Sequence, residues 1–202
     1  MNLEIITALI AFAFVSSITP GPNNLMLLAS GANFGFQRTI PHMLGVAIGF
    51  VLMLILVGIG LMQVFDAYPI SHQILKFCSI CYLLYLAYRI ATAAAPEESG
   101  KDGARPFTFM QAALFQWVNP KAWTMALTAI SVYSPTRSIE TVLIIGLVFG
   151  AINLPSVSLW TVMGQRLKTV LTNTYRLRVF NGTMAILLVA SLYPVVLGTA
   201  MQ

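Results

Sequence analysis

Charged residues are scarce in this chain: they make up 8% of its 202 residues, against 58% hydrophobic residues. A soluble surface normally needs about a quarter of charged residues, so this scarcity excludes a soluble globular protein. The mean hydropathy of +0.83 agrees, and the sequence predicts an all-α integral membrane protein. Membrane helices take up nearly the whole length, which leaves no room for a soluble catalytic domain. We therefore expect a protein that is not an enzyme.

Acidic residues are especially few, and all six fall at the ends of predicted helices or in a central linker: Glu4, Asp66, Glu97, Glu98, Asp102 and Glu140. No carboxylate is therefore expected in the middle of the membrane. A cationic substrate side chain would need one, so the pattern favours a small neutral substrate over lysine or arginine.

Cofactor motifs are also missing from the sequence. His42 and His72 lie apart and have no acidic neighbours, so we expect no metal site. There is no glycine-rich loop ending in Gly-Lys-Ser/Thr, which argues against direct coupling to ATP. We predict that the chain binds no cofactor.

The only two cysteines, Cys78 and Cys81, lie one helical turn apart. In a soluble redox protein this spacing suggests dithiol chemistry, so a membrane thiol-redox carrier is the alternative function. Two observations favour a structural role instead. Cysteine in an apolar helix usually packs as a small hydrophobic residue, and the second half of the chain has no counterpart.

Long apolar segments are what the sequence has in place of charge. Charge-free stretches cover 5–37, 39–65, 141–165 and 179–202, and each exceeds the ~20 residues that span a bilayer. Two further stretches contain basic residues. One, near 70–91, has Lys76 and Arg89 close to its ends, and the other, near 107–132, has Lys121 near its middle. The sequence therefore predicts six transmembrane helices in a single transporter domain, 1–202.

A polar linker, 94–106, divides the chain into two halves, 1–93 and 107–202, with three predicted helices each. Because three is an odd number, the second half enters the membrane from the opposite side. This is the geometry of an inverted repeat.

The basic residues orient the predicted helices. If both termini are extracytoplasmic, most of the 11 lysines and arginines lie on the cytoplasmic side, as the positive-inside rule requires. The basic stretch Arg166–Arg178 then lies beside the inner leaflet, where it is expected to contact anionic lipid. The net charge needs no nucleic acid to explain it.

The segment Pro20–Asn24 interrupts the first apolar run with the residues least compatible with a continuous helix. An unpaired backbone group in hydrocarbon costs several kcal/mol, so a broken helix there must face protein or a water-filled cavity. Asn119 followed by Pro120 predicts a similar break in the fourth helix. We expect both breaks, in helices 1 and 4, to lie near the middle of the membrane.

Such breaks suit a zwitterion. Carbonyl groups that lose their helical partner accept from an ammonium group, and the start of each following half-helix favours a carboxylate. The predicted substrate-binding residues are Thr19, Pro20, Gly21, Pro22, Asn23, Asn24, Asn119, Pro120 and Lys121. Lys121 is the only basic residue that the predicted topology places well inside the membrane, and it either binds the substrate carboxylate or extends its ammonium toward the interface.

Pairs of glycines four residues apart follow each break, Gly45 with Gly49 and Gly146 with Gly150. Small residues at this spacing let helix backbones approach closely. The pairs therefore predict packing of helices 2 and 5 within the chain, or contact in a homodimer.

Several of these segments resemble the LysE/RhtB amino-acid exporter family: Thr19–Asn24, Gly45 with Gly49, Leu75-Lys76, Tyr82-Leu83 and Asn119–Lys121. The resemblance covers essentially the full chain. It implies an exporter of amino acids in the bacterial inner membrane that works by alternating access and is driven by the proton-motive force. The segment Leu114–Asn119 is similar to the branch that exports cysteine and O-acetylserine; homoserine and threonine are substrates of the same neutral class. The chain departs from the family pattern at Ser79-Ile80 and Ala87.

Overall fold

A computed structural model describes residues 3–61, 67–68, 70–92, 105–134, 138–171 and 173–193. This part of the chain is helical without strands, which confirms the all-α part of the predicted fold class. Its helices are α1 Leu3–Ile18, α2 Pro22–Phe34, α3 Phe36–Leu56, α4 Ile70–Ala91, α5 Phe109–Phe115, α6 Pro120–Tyr133, α7 Ile139–Leu167 and α8 Thr174–Ala190. A π-helical turn, Val57–Leu61, extends α3, and a 3-10 turn, Gln116–Val118, follows α5.

Within the described residues, three helical segments are long and apolar enough to cross a membrane: Phe36–Leu61, Gln73–Ala91 and Ile139–Leu167. The bent pair of α1 and α2 gives a fourth if it is one span. The count of six spans therefore stays a prediction. Most of the predicted linker, 94–104, lies outside the described residues.

Large apolar side chains cover much of the outer surface, among them Leu147, Ile186 and Phe77, which are each about 70% exposed. A soluble monomer rarely exposes apolar area on this scale, and a large exposed apolar surface marks contact with membrane or protein. The surface agrees with a helix bundle that lies in lipid.

Both predicted helix breaks are present. α1 ends at Ile18 and α2 begins at Pro22, with a bend of 54° between them. In the second half, Asn119 is extended (φ −91°, ψ 109°) and α6 begins at Pro120. Each proline occupies the first turn of its new helix, where the missing N–H would have no helical partner in any case. The depth of these breaks in a bilayer stays a prediction.

The two halves of the chain have the same order of elements: a broken helix, a long helix and a further helix. They are also interlocked, because α7 packs on α1, α2 and α3, while α4 packs on α8. The inverted relation between the halves is a prediction that this order supports.

Glycines set two close helix crossings. A Cβ on Gly31 would overlap the carbonyl oxygen of Thr161, and one on Gly164 would overlap that of Leu28, so α2 and α7 touch through their backbones. Near this crossing, Asn33 of α2 and Asn181 of α8 exchange two hydrogen bonds of 3.0 and 3.3 Å through their buried side-chain amides.

The glycine pair of α3 has a different neighbour from the one expected. A Cβ on Gly49 would lie 2.6 Å from Ala113 Cα, and Gly45 contacts the carbonyl group of Phe109, so both pack on α5. Gly146 and Gly150 do face α3, but at ordinary contact distances of 3.4 Å or more. The predicted helices 2 and 5, which are α3 and α7, do pack on each other. The tighter contact made by the glycine pair of α3 is with α5.

Candidate functional site

A small cavity lies where the two helix breaks meet, and five helices contribute to it. Its lining is Ser16, Ser17, Gly21, Asn23, Asn24, Phe50, Asn119, Lys121, Ala122, Met125, Asn153 and Val157. The lining, all within the described residues, contains no acidic side chain. The cavity volume is about 20 Å³, which is enough for a water molecule and far too small for an amino acid.

The structure brings the nine predicted site residues together at the two breaks. Gly21, Asn23, Asn24, Asn119 and Lys121 line the cavity. The other four predicted residues do not line it: Thr19 and Pro20 contact the Lys121 ammonium, and Pro22 and Pro120 start the new helices.

The carbonyl groups at the end of α1 accept hydrogen bonds from side chains of the protein itself. Asn24 Nδ2 donates to Ser17 O and to Thr19 O, both at 2.8 Å. Trp160 Nε1 of α7 donates to Ile18 O at 3.0 Å. Because these partners are side chains and not the next helical turn, the backbone of the break is held in place while it stays non-helical.

Lys121 joins the two breaks. Its Nζ donates to Thr19 O at 2.6 Å and to Thr19 Oγ1 at 3.0 Å, and lies 3.4 Å from Pro20 O. The side chain therefore crosses from the start of α6 to the break in α1. It does not extend along α6 toward an interface, and its predicted role in carboxylate binding stays open.

A pair of amides forms a second link between the breaks. Asn23 Nδ2 donates to Gln116 Oε1 at 2.8 Å, and Gln116 Nε2 donates back to Asn23 Oδ1 at 3.2 Å. Gln116 is fully buried and also donates to Ala112 O at 2.9 Å. Sequence reasoning missed Gln116, although a glutamine within an apolar segment four residues before Pro120 was a usable signal.

Asn153 of α7 is a further site residue that sequence reasoning missed. Its Nδ2 donates to Ser17 Oγ at 3.3 Å, whereas its Oδ1 is buried without a hydrogen-bond partner. A buried acceptor left unpaired costs about 1–3 kcal/mol, so one that lines a cavity needs an explanation. A ligand with an N–H, O–H or S–H donor supplies one.

The start of α2 offers the opposite polarity. No side chain caps its first turn, and its N-cap is Gly21. Unpaired N–H groups and the positive end of the helix dipole at such a terminus favour a carboxylate. At α6 the arrangement differs, because Asn119 Oδ1 accepts from Lys121 N at 3.1 Å.

The cysteines lie outside this cavity. Cys78 and Cys81 are free and exposed on α4. They line an apolar groove together with Tyr82, Tyr85 and Leu114. The first histidine, His42, is buried in α3 with its ring 5.2 Å from that of Phe107. Among the described residues, no group of His, Cys, Asp or Glu is arranged to hold a metal ion.

The sequence profile described as "LysE type translocator" matches residues 14–191. Proteins named "Cysteine/O-acetylserine efflux protein" are similar over 135 residues, or 66% of this chain and 67% of theirs. The protein of Escherichia coli (strain K12) is 30% identical, and that of Salmonella typhimurium is 31% identical. No solved structure matches the chain.

Proposed function

The chain belongs to the LysE-type translocator family, so it is a transporter and not an enzyme; from this premise we propose that it exports a small neutral amino acid. The proposed substrates are cysteine and O-acetylserine, or amino acids of the homoserine or threonine type. We propose that the protein exports them across the bacterial inner membrane by alternating access, driven by the proton-motive force. The extracytoplasmic termini, the lipid contacts of Arg166–Arg178 and a homodimer are further parts that await tests.

The observation that carries this proposal is an ammonium group bound at the helix break. Lys121 Nζ lies within 3.4 Å of three oxygens of Thr19 and Pro20, and so marks a place where the fold accepts an ammonium ion. The uncapped start of α2, beginning at Pro22, provides the matching position for a carboxylate. The oxygens that bind an ammonium and the helix start that favours a carboxylate lie side by side, so together they are complementary to an amino-acid zwitterion.

The same lining supports a neutral substrate side chain. Since none of the described residues that line the cavity is acidic, a second positive charge on the substrate would have no counter-ion among them. Burying an unpaired charge is far costlier than burying a hydrogen-bonded polar group. Asn153 Oδ1, which has no partner, suits the hydroxyl or thiol of a small side chain.

Counterflow in proteoliposomes tests the proposal. Purified protein should exchange radiolabelled cysteine, O-acetylserine, homoserine or threonine against an internal pool, and lysine and arginine should compete poorly. Asn153→Ala should reduce exchange, while Gln37→Ala, which removes an exposed amide outside the cavity, should leave it unchanged. Strong competition by arginine, together with normal exchange by Asn153→Ala, would show that both the substrate class and the site are wrong.

The thiol-redox alternative has one observation in its favour, because both cysteines are free and exposed. They do not line the cavity between the breaks, however, and the groove that they do line, which reaches Val118, is apolar. A redox carrier would lose its activity when either cysteine is replaced, which distinguishes the two functions in one experiment.

A further inference from the structure

We propose that the Lys121 ammonium occupies the subsite for the substrate's own ammonium group, so that a substrate binds only after Lys121 has released the break in α1. This inference rests on the proposed function, since it assigns part of the amino-acid site. It makes Lys121 an internal competitor of the substrate, and not only a possible counter-ion for the carboxylate.

The chemistry of the subsite matches an ammonium group of either origin. An ammonium has three N–H donors and no acceptor. Thr19 O, Thr19 Oγ1 and Pro20 O present three oxygens to Lys121 Nζ, at 2.6, 3.0 and 3.4 Å. These oxygens would bind a substrate ammonium equally well, but not while Nζ is there.

Gly21 gives independent support for a dedicated path for this lysine. Its backbone is extended (φ −174°, ψ 177°), a conformation that any residue adopts, so conformational freedom does not explain a glycine here. Space does explain it, because a Cβ on Gly21 would lie 2.6 Å from Lys121 Cδ and 3.2 Å from Nζ. The glycine leaves room for the lysine side chain to cross the break.

The size of the cavity indicates that Lys121 must move before a substrate binds. About 20 Å³ remains beside the Lys121 side chain, so an amino acid is excluded until that side chain moves. Its departure opens space and exposes the Thr19 and Pro20 oxygens at the same time. One ammonium then replaces another on the same acceptors, and the carbonyl groups are paired both before and after the exchange.

The released Lys121 ammonium has a defined second role. Among the described residues it is the one cation that lines the cavity. It extends from the first turn of α6, where the helix dipole also favours a negative group. Release from the break therefore leaves Lys121 free to meet the substrate carboxylate. A single side chain would first occupy the ammonium subsite and then bind the substrate carboxylate.

Chemical rescue tests the subsite without any transport step. Lys121→Ala removes three methylene groups and the ammonium, which n-propylammonium replaces. We expect n-propylammonium to raise the melting temperature of detergent-solubilised Lys121→Ala in a saturable way. It should have no such effect on the wild type or on Lys168→Ala, a control at an exposed lysine. Propyltrimethylammonium, which has no N–H donors, should not stabilise any of the three proteins.

Competition connects the subsite to the substrate. In Lys121→Ala, n-propylammonium should displace a neutral amino acid in a binding assay, with at least a tenfold lower inhibition constant than for the wild type. Rescue without competition would show that the ammonium subsite is not the substrate's. Absence of rescue in a folded variant would overturn the inference directly.

Lys121→Met keeps most of the apolar stem and covers the case in which the alanine variant does not fold. Its binding of 2-aminoethanethiol, an amine without a carboxylate, should be at least tenfold tighter than that of the wild type; equal binding would overturn the inference. If the wild type exchanges no amino acid while the amine effects persist, the proposed function is wrong, and the assignment of this subsite to an amino acid is wrong with it.

Discussion

The contact between Gly21 and Lys121 yields a quantitative prediction. In Gly21→Ala the new Cβ lies 2.6 Å from Lys121 Cδ, whereas ordinary contact begins at 3.4 Å. Lys121 Cδ, Cε and Nζ all lie within 3.4 Å of that Cβ, so the side chain must shift, and we expect its ammonium to leave Thr19. A hydrogen bond to a charged group contributes about 1.5–3 kcal/mol, and we expect Gly21→Ala to destabilise the protein by that amount.

The double variant separates this cause from a general effect on the backbone. Lys121→Ala should also cost about 1.5–3 kcal/mol, because it removes the same ammonium contacts. Once that side chain is gone, an alanine at position 21 has nothing left to displace, so the double variant should resemble Lys121→Ala alone. The coupling energy should then be about 1.5–3 kcal/mol, within the range for residues in direct contact.

Reversible unfolding in mixed detergent micelles, followed by circular dichroism, measures the four stabilities of the cycle. Gly182→Ala combined with Lys121→Ala is the matched control, since a Cβ at Gly182 has no neighbour within 4 Å. That pair should be additive. If Gly21→Ala and Lys121→Ala are additive as well, within about 0.5 kcal/mol, the reasoning about the side-chain path is refuted.

Three further predictions concern other parts of the fold. Gly164→Ala should destabilise the protein by about 3 kcal/mol or more, since its Cβ meets the α2 backbone, while Gly182→Ala should gain about 0.5–1 kcal/mol in the same unfolding assay; equal effects would contradict the close crossing. Gln116→Leu should cost about 1–3 kcal/mol and lower counterflow, because its amide partner at the break is left unpaired; unchanged stability would argue against the link. Serine at Cys78 and Cys81 should leave export unchanged, and lost transport at normal expression would favour the redox carrier.

The breaks could be predicted from the sequence because proline acts locally. Pro22 and Pro120 each remove a backbone donor wherever they stand, and both begin new helices as expected. The polar character of the site could be predicted in part from the residues next to these prolines. Asn23 and Asn24 lie beside Pro22 in the sequence and line the cavity.

The rest of the site depends on contacts between distant residues. Gln116 lies 93 residues from its amide partner, Asn153 lies 136 from Ser17, and Trp160 lies 142 from Ile18. A polar residue in an apolar segment shows that a partner is needed but not which one. The same holds for the glycine pair of α3. Its spacing predicts that another helix approaches closely, but it does not identify which helix that is.

Span length was equally hard to judge from hydropathy. The break at Asn119 leaves α5 with 7 residues and α6 with 14, so neither is long enough to count as a span alone. Hydropathy averages over such an interruption and treats 107–132 as one continuous segment. Mean hydropathy does not detect the break because the apolar content of the segment is the same whether the helix is continuous or divided.

The two amide pairs that link helices have a consequence for a membrane protein when the acidity on one side of the membrane changes. Asn23 with Gln116, and Asn33 with Asn181, are held together without any ionisable group. An amide keeps the same protons on either side of a pH gradient, and dissolved salt does not screen a neutral pair as it screens separated ions. These two amide pairs should therefore keep their strength when the pH or ionic strength on either side of the membrane changes.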